Sequence, residues 1–314
     1  MITLSIVVPC YNEQEVLPVT SSRLLGVLEH LVATARISSS SHIYFVDDGS
    51  RDDTWSMIER LVDGDKRIRG IKLSRNCGHQ YALLAGLLTA DGDAVVSIDA
   101  DLQDDVEVIE HMVDAHRAGN EVVYGVRSDR ATDGFFKRFS AEAYYRLLRI
   151  MGVDVVFNHA DFRLMSRRAL NALKEYDEIN LFLRGVIPTI GFRSAIVEYE
   201  RHERYAGESK YPFRKMLALA INGITSFSSV PLRMIALLGM FFFLVSILLS
   251  IWVVWVKFVS QDVVPGWASS VLPMYFLGGI QLLSIGVVGE YIAKIYMETK
   301  RRPRFIIELI AERR

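Results

Sequence analysis

Five short apolar runs, at residues 4–8, 43–46, 68–73, 94–98 and 121–126, alternate with helix-patterned segments, and each run reads as a buried strand. Parallel neighbours need a crossover, and a helix supplies it. The alternation therefore predicts an α/β fold with a mostly parallel, Rossmann-like sheet covered on both faces. The intervening helices are expected at 12–33, from Asp52 or Asp53 through Trp55, Ile58 and Leu61, at 79–90 and at 106–118.

Open sheets of this kind take ligands beyond the C-terminal ends of their strands. The polar clusters that close successive runs would then share one rim: residues 9–13, Asp47-Asp48-Gly49-Ser50 and Asp99-Ala100-Asp101-Leu102-Gln103. Where strand gives way to loop, Asp99 and Asp101 can face one hard cation, and Gln103 adds an oxygen. An all-oxygen set suits Mg²⁺ or Mn²⁺ rather than zinc. The plain alternative is a solvated acidic turn. Carboxylates on one rim repel unless a cation, a ribose or a base neutralises or hydrogen-bonds them, which points to a nucleotide-sugar site. No G-x-G-x-x-G follows the first run, which argues against NAD.

A hydrophobic share of 51% is high for a soluble chain, and two segments account for it. Residues 234–256 carry no charge, and residues 271–293 carry only Gln281 and Glu290 as strongly polar groups. Each is long enough to cross roughly 30 Å of hydrocarbon. Both read as transmembrane helices, with a buried helical hairpin as the alternative. Arg214, Lys215 and Arg233 precede the pair, and Lys294, Lys300, Arg301, Arg302 and Arg304 follow it; the connector holds only Lys257 and Asp262. The positive-inside rule then places both ends in the cytoplasm. Glu290, near the cytoplasmic end, reads as a structural pairing group. Segments 135–149 and 213–229 have the pattern of amphipathic helices on a membrane surface or, alternatively, of core-facing helices. The expected organisation is a catalytic domain at 1–212, a juxtamembrane helix at 213–232, two spans within 233–294 and a basic cytoplasmic tail at 295–314.

A net charge of −1 and the lack of a basic run interleaved with aromatics in the catalytic part argue against a nucleic-acid partner. Cys10 and Cys77 lie far apart, as expected for a reducing compartment. The first residues show no basic n-region, so no signal peptide is expected.

The segments Val8-Pro9-Cys10-Tyr11-Asn12-Glu13, Asp47-Asp48-Gly49-Ser50, Ser74-Arg75-Asn76 and Asp99-Ala100-Asp101-Leu102-Gln103 together resemble the family 2 glycosyltransferases of GT-A fold. With Asp161-Phe162-Arg163-Leu164-Met165, Gly207-Glu208-Ser209-Lys210 and two C-terminal spans, the chain is similar to the polyprenyl-phosphate glycosyltransferases. These include bactoprenol glucosyltransferases and dolichyl-phosphate mannose synthases. His79 and Asn158-His159 depart from the family pattern and bear on the choice of sugar.

The resemblance implies that Pro9, Tyr11, Glu13 and Asp48 hold the uridine, and that Asp99, Asp101 and Gln103 serve the metal and diphosphate. It implies that Arg127, Lys137 and Arg138 meet the lipid phosphate, and Arg204 and Lys210 are further cations suited to it. The implied reaction is inverting transfer of a hexose, glucose foremost, from a UDP-sugar to undecaprenyl phosphate at the bacterial inner membrane. A flippase and a downstream glycosyltransferase are implied partners, and a homotetramer the implied assembly, with Gly278, Gly279, Gly286 and Gly289 allowing close helix approach. The acceptor is already anionic, so little general base is needed. Several readings stand for Asp161: it orients a sugar hydroxyl, steers the acceptor phosphate, acts as a base, or forms a buried ion pair with Arg163. Asp48 has the alternative of capping the next helix, and Arg127 that of a solvated strand end. Rival functions are the same chemistry with GDP-mannose and dolichyl phosphate or with a UDP-amino-arabinose, and a catalytically idle nucleotide-sugar sensor. A processive synthase would need a Q-x-x-R-W motif and further spans.

Overall fold

Every residue of β1 (Leu4–Cys10) is buried, the signature of a strand covered on both faces. The computed structural model describes residues 1–127, 159–179, 183–200, 230–259 and 267–313. Segments 135–149 and 213–229, with Lys137, Arg138, Arg204 and Lys210, lie outside them. Strand β1 pairs in parallel with β2 (His42–Asp47) and β4 (Ala94–Ser97), and β2 pairs in parallel with β3 (Ile68–Leu73). Pro9 sits inside β1 rather than ending it. The carbonyl of Val7 accepts from Ile98, so the same-facing Pro9 lies past the end of β4, where no ladder bond is required of it.

Four further strands complete the sheet, and two of them, β6 and β8, run against the rest and make it mixed. Beyond β4 lies β6 (His159–Ser166), antiparallel to it, then β5 (Val122–Arg127) antiparallel to β6, then β7 (Ser194–Tyr199) parallel to β5. On the opposite edge, β8 (Ile307–Ala311) pairs antiparallel with β3, which completes the order β7-β5-β6-β4-β1-β2-β3-β8. The segment expected as a basic tail thus belongs to the sheet. Its outer face is exposed, and no buried apolar run announces it.

Helices cover both faces. On one side, α1 (Leu17–Ala33), α2 (Thr54–Gly64) and α4 (Val108–Arg117) bury Leu24, Leu28, Ile58 and Met112 against Ile6, Val8 and Phe45. On the other side, α3 (His79–Thr89), α5 (Arg167–Lys174) and α6 (Leu183–Thr189) pack on Val7, Val46 and Val95. Helix α1 begins five residues later than its apolar pattern suggests. Asn12 adopts φ 56°, and its side chain accepts from the Arg51 N–H, so the intervening chain forms a turn bound to the second loop.

The two apolar segments are both helical: α7 (Val230–Val259) and α8 (Trp267–Lys300). Phe242 and Phe276 meet edge-on at 5.6 Å between them. Leu237, Trp252, Trp255, Leu282 and Ile285 are each more than half exposed. Among the described residues one stretch, Phe276–Lys300, is long and apolar enough to cross a membrane, while the apolar stretch Val230–Phe242 is shorter.

Helix α3 lies close on the sheet because Gly86 faces it. A Cβ there would come within 2.3 Å of Val7 Cγ1 and 2.8 Å of Val46 Cγ2. We expect Gly86→Ala to destabilise the domain by about 1–3 kcal/mol through overpacking. A thermal melt would register this as a lower midpoint, and an unshifted midpoint would mean that the helix rides farther from the strands.

Candidate active site

The loops after β1, β2 and β4 meet at one rim, as strand polarity requires. Cys10 O accepts from the Asp48 N–H, the Asn12 N–H donates to Ser50 Oγ, and the Glu13 N–H donates to Thr54 Oγ1. Tyr11 projects from this laced turn with its side chain exposed, and Pro9 is buried beneath. Asp48, only 2% exposed, is committed to backbone: its two oxygens accept from Cys77 N at 2.7 Å and Gly78 N at 2.9 Å. It caps the entry to α3 rather than to α2. Gly49, at φ +66°, allows the same loop to press on the Arg75–Asn76 peptide, where a Cβ would lie 2.6 Å from Asn76 N.

After β4 the chain turns sharply. Leu102 takes φ 54°, unusual for a branched side chain, and is buried; the Gln103 N–H donates to Asp101 Oδ1 at 3.2 Å. Thr20 of α1 holds the loop by donating to Ala100 O. Asp104 accepts from the Tyr199 hydroxyl, which ties the acidic loop to β7.

The antiparallel β6 brings in the second carboxylate. Ser97 opposes Arg163 in the antiparallel ladder, so Asp99, two residues after Ser97, and Asp161, two residues before Arg163, come at the same end of the pair. Asp161 and Arg163 share a face because they are two apart on a strand, the face that carries α3 and α6. Arg163 is fully buried, with Nη2 2.5 Å from Asp161 Oδ1. Arg184, in the first turn of α6, donates from Nε to Oδ1 and from Nη2 to Oδ2, each at 3.1 Å. His79, the first residue of α3, places Nε2 3.4 Å from both Asp161 Oδ2 and Asp99 Oδ1. Two guanidinium groups and an imidazole therefore converge on Asp161. Burial alone would raise its pKa, but Arg184 foremost, with His79 and Arg163, holds it well below the usual carboxylate range.

Asp99 is the opposite case. Burial, reinforced by Asp161, Asp104 and Asp101 and opposed by His79, pushes it up to about 6. Its Oδ1 is sealed from solvent and accepts no hydrogen bond. With only the His79 contact at 3.4 Å among the described residues, and with a second aspartate in the same loop, this carboxylate has oxygens that a hard divalent cation would satisfy, so these residues fit Mg²⁺ or Mn²⁺.

Of the residues singled out from sequence, the fold brings together Asp99, Asp101, Gln103, Asp161 and Arg163. It sets Pro9, Tyr11, Glu13 and Asp48 along the same rim. Arg127 lies at the end of β5 opposite Tyr199. Arg184 was not legible: its partner lies in another strand, and no local motif marks it. His79 was visible only as a departure from a family pattern.

This architecture, a GT-A-like sheet with an acidic rim, is that of a glycosyltransferase class. Residues 5–174 match the model for glycosyl transferase family 2, and residues 230–295 match the GtrB C-terminal hairpin. The chain belongs to glycosyltransferase family 2. It is 50% identical over 308 residues to the uncharacterized glycosyltransferase YkoT of Bacillus subtilis, covering 98% of this chain and 91% of that protein. It is 42% identical over 306 residues to the bactoprenol glucosyl transferase of Shigella phage SfV, covering 97% and 98%. Among solved structures it is similar to glucosyl-3-phosphoglycerate synthase from Mycobacterium tuberculosis in complex with Mn²⁺, UDP-glucose and phosphoglyceric acid. That likeness has a TM-score of 0.44 and 19% identity, over 71% of this chain and 78% of the other.

The raised pKa of Asp99 has a stability consequence. Its folded value, about 6, lies above the ordinary 3.8, so the folded chain holds this proton more tightly than the unfolded one. Stability from this group is present at low pH and lost as pH rises toward and through about 6. In chelator, the thermal midpoint of the native protein should fall relative to Asp99→Asn between pH 5 and pH 7. Millimolar Mn²⁺ at neutral pH should restore the native midpoint and leave the variant unmoved. Parallel curves for the two proteins would contradict this account of the carboxylate.

Proposed function

We propose that the protein transfers a hexose, glucose foremost, from a UDP-sugar to undecaprenyl phosphate, with inversion, at the cytoplasmic face of a bacterial inner membrane. The observation that carries this reading is the sealed Asp99 oxygen beside the Asp161–Arg184 pair, on a sheet that β8 joins to an exposed apolar hairpin. The bactoprenol glucosyl transferase relative supports the choice of acceptor.

Each part of the reaction has residues suited to it. The exposed Tyr11 ring offers a face for the base, and Glu13 lies beside it; Asp48 acts by fixing the Cys77–Gly78 turn. When bound, a Mg²⁺ or Mn²⁺ ion held by Asp99 and Asp101, with Gln103 beside them, offsets the charge that builds on the departing diphosphate. An oxygen of the acceptor phosphate attacks C1, forming the new C1–O bond as the bond to the nucleotide diphosphate breaks. One displacement inverts the anomeric centre, and no proton has to move. Asp161, held far below the usual carboxylate range, is a poor proton acceptor, so its role here is to orient Arg184 and His79. Arg184, partly exposed at the rim, and Arg127 supply guanidinium forks for the acceptor phosphate.

The acceptor accounts for the hairpin. An isoprenoid stays in the bilayer, so the catalyst has to be held there, and α7 and α8 do so as two spans with both termini cytoplasmic. Their exposed leucine, isoleucine and tryptophan side chains then face lipid rather than water.

The test uses membranes carrying the protein, undecaprenyl phosphate and a panel of radiolabelled nucleotide sugars. UDP-glucose should label the lipid, and EDTA should abolish the label. GDP-mannose or a UDP-amino-arabinose labelling in its place would reassign the donor. No label from any donor would leave a nucleotide-sugar sensor. Asp101→Ala in a folded, inserted sample should lower turnover by about 10²-fold or more, the scale of losing a preorganised electrostatic group. Arg184→Ala should lower kcat by about tenfold to a hundredfold. Full activity in both variants would sink the assignment of the site.

A further inference from the structure

Three consecutive residues open α3, and each reaches a different part of the protein. His79 faces the carboxylates Asp99 and Asp161. Gln80 Oε1 accepts from the N–H of Leu183, the residue before Arg184. Tyr81 donates its hydroxyl to Ile179 O. Ile179 is in turn held from the other side, its N–H donating at 2.8 Å to Glu298 Oε2 near the end of α8. Arg304, just past that helix, grips the same loop through Tyr176 O at 2.8 Å. A cavity of about 640 Å³ opens between residues 175–179 and 298–304, so polar contacts rather than close side-chain packing join the loop to the hairpin.

We propose that Glu298 and Tyr81 are positioning residues for glycosyl transfer: clamping the Ile179 backbone between them, they tie the hairpin to the helix start that bears His79. This rests on the transferase reading above. Neither side chain touches the reacting groups. Both act through the first turn of α3 and the start of α6, and thereby set where His79 and Arg184 stand against Asp161. A shift of about an ångström at such groups is enough to slow a reaction by orders of magnitude.

The test compares the native protein, Glu298→Ala, Glu298→Gln, Tyr81→Phe and the Glu298→Ala/Tyr81→Phe double variant in lipid nanodiscs with undecaprenyl phosphate and UDP-glucose. Glu298→Ala and Tyr81→Phe should each lower kcat by about tenfold, with KM for the nucleotide sugar within about twofold of native. Glu298→Gln keeps an acceptor oxygen and should retain most activity. The double variant should be no slower than the slower single variant, since both cuts fall on one connection. Unchanged kcat in either single variant, or losses that multiply in the double, would overturn the proposal.

A second readout needs no turnover. The amides of Tyr81 and Ala82, both bonded to Gly78 O, should exchange hydrogen about fivefold faster or more in Glu298→Ala. Exchange altered only next to residues 179 and 298 would also overturn it. An inactive native protein would instead count against the transferase reading, while the exchange data would still decide the connection.

Discussion

The ion cluster at Asp161 is the constraint from which the rest of the site follows. A carboxylate and a guanidinium buried side by side lose several kcal/mol of hydration each, and the pair persists only if further groups complete it. Arg163 is fully enclosed, and its Nε and Nη1 find no acceptor among the described residues, so the pair alone is poorly compensated. Arg184 and His79 add the missing positive partners to the carboxylate and fix α6 and α3 to the strand in doing so. Removing Asp161 would leave buried positive charge without its anion, a loss of about 3–5 kcal/mol for such pairs.

The cluster depends on a topological choice. In a purely parallel sheet, the strand next to β4 would enter the rim with its C-terminal end, and its first residues would lie at the far edge. Because β6 runs antiparallel, its opening residues arrive beside the loop after β4, and a D-x-R spacing puts both charges on the α3/α6 face. The local rule for strands, two residues per repeat, thus becomes a device for placing an acid and a base of opposite charge on one side of a sheet.

The same residues explain what the sequence made legible. Strands β1, β2 and β4 could be read because most of their residues are buried and apolar, while β3 shows as apolar positions interrupted by the half-buried Arg69 and Lys72. The acidic clusters after them could be read because strand polarity dictates where they go. Strand β6 could not, since Asp161 and Arg163 interrupt its apolar pattern, and their burial makes sense only with Arg184 and His79 in place. Strand β8 was hidden for a different reason: an edge strand with exposed Glu308 and Leu309 looks like any tail. Asp48 could be singled out from sequence as an aspartate expected to hold the uridine, but its backbone partners at Cys77 and Gly78 are set by tertiary contact between loops. Helices at 234–256 and 271–293 were foreseen from length and apolarity alone, and α7 and α8 extend beyond those bounds; their tie to the sheet was not foreseen.

That tie closes a loop in the structure. Strand β8 covers the edge of β3, which would otherwise offer unpaired N–H and C=O groups, and ion pairs across the edge help fix its register: Lys72–Glu308 at 3.6 Å and Arg69–Glu312 at 3.9 Å. Strand β3 runs on into Ser74 and Arg75 and then to the turn that Asp48 grips, which is the entry to α3. The hairpin therefore reaches His79 by two physical routes, one through Ile179 and one through β8 and β3. With both in place, the start of α3 has little freedom to move independently of α8. For the proposed transfer to a lipid-linked acceptor, such stiffness would fix the height of the reactive groups above the lipid surface through covalent chain and hydrogen bonds.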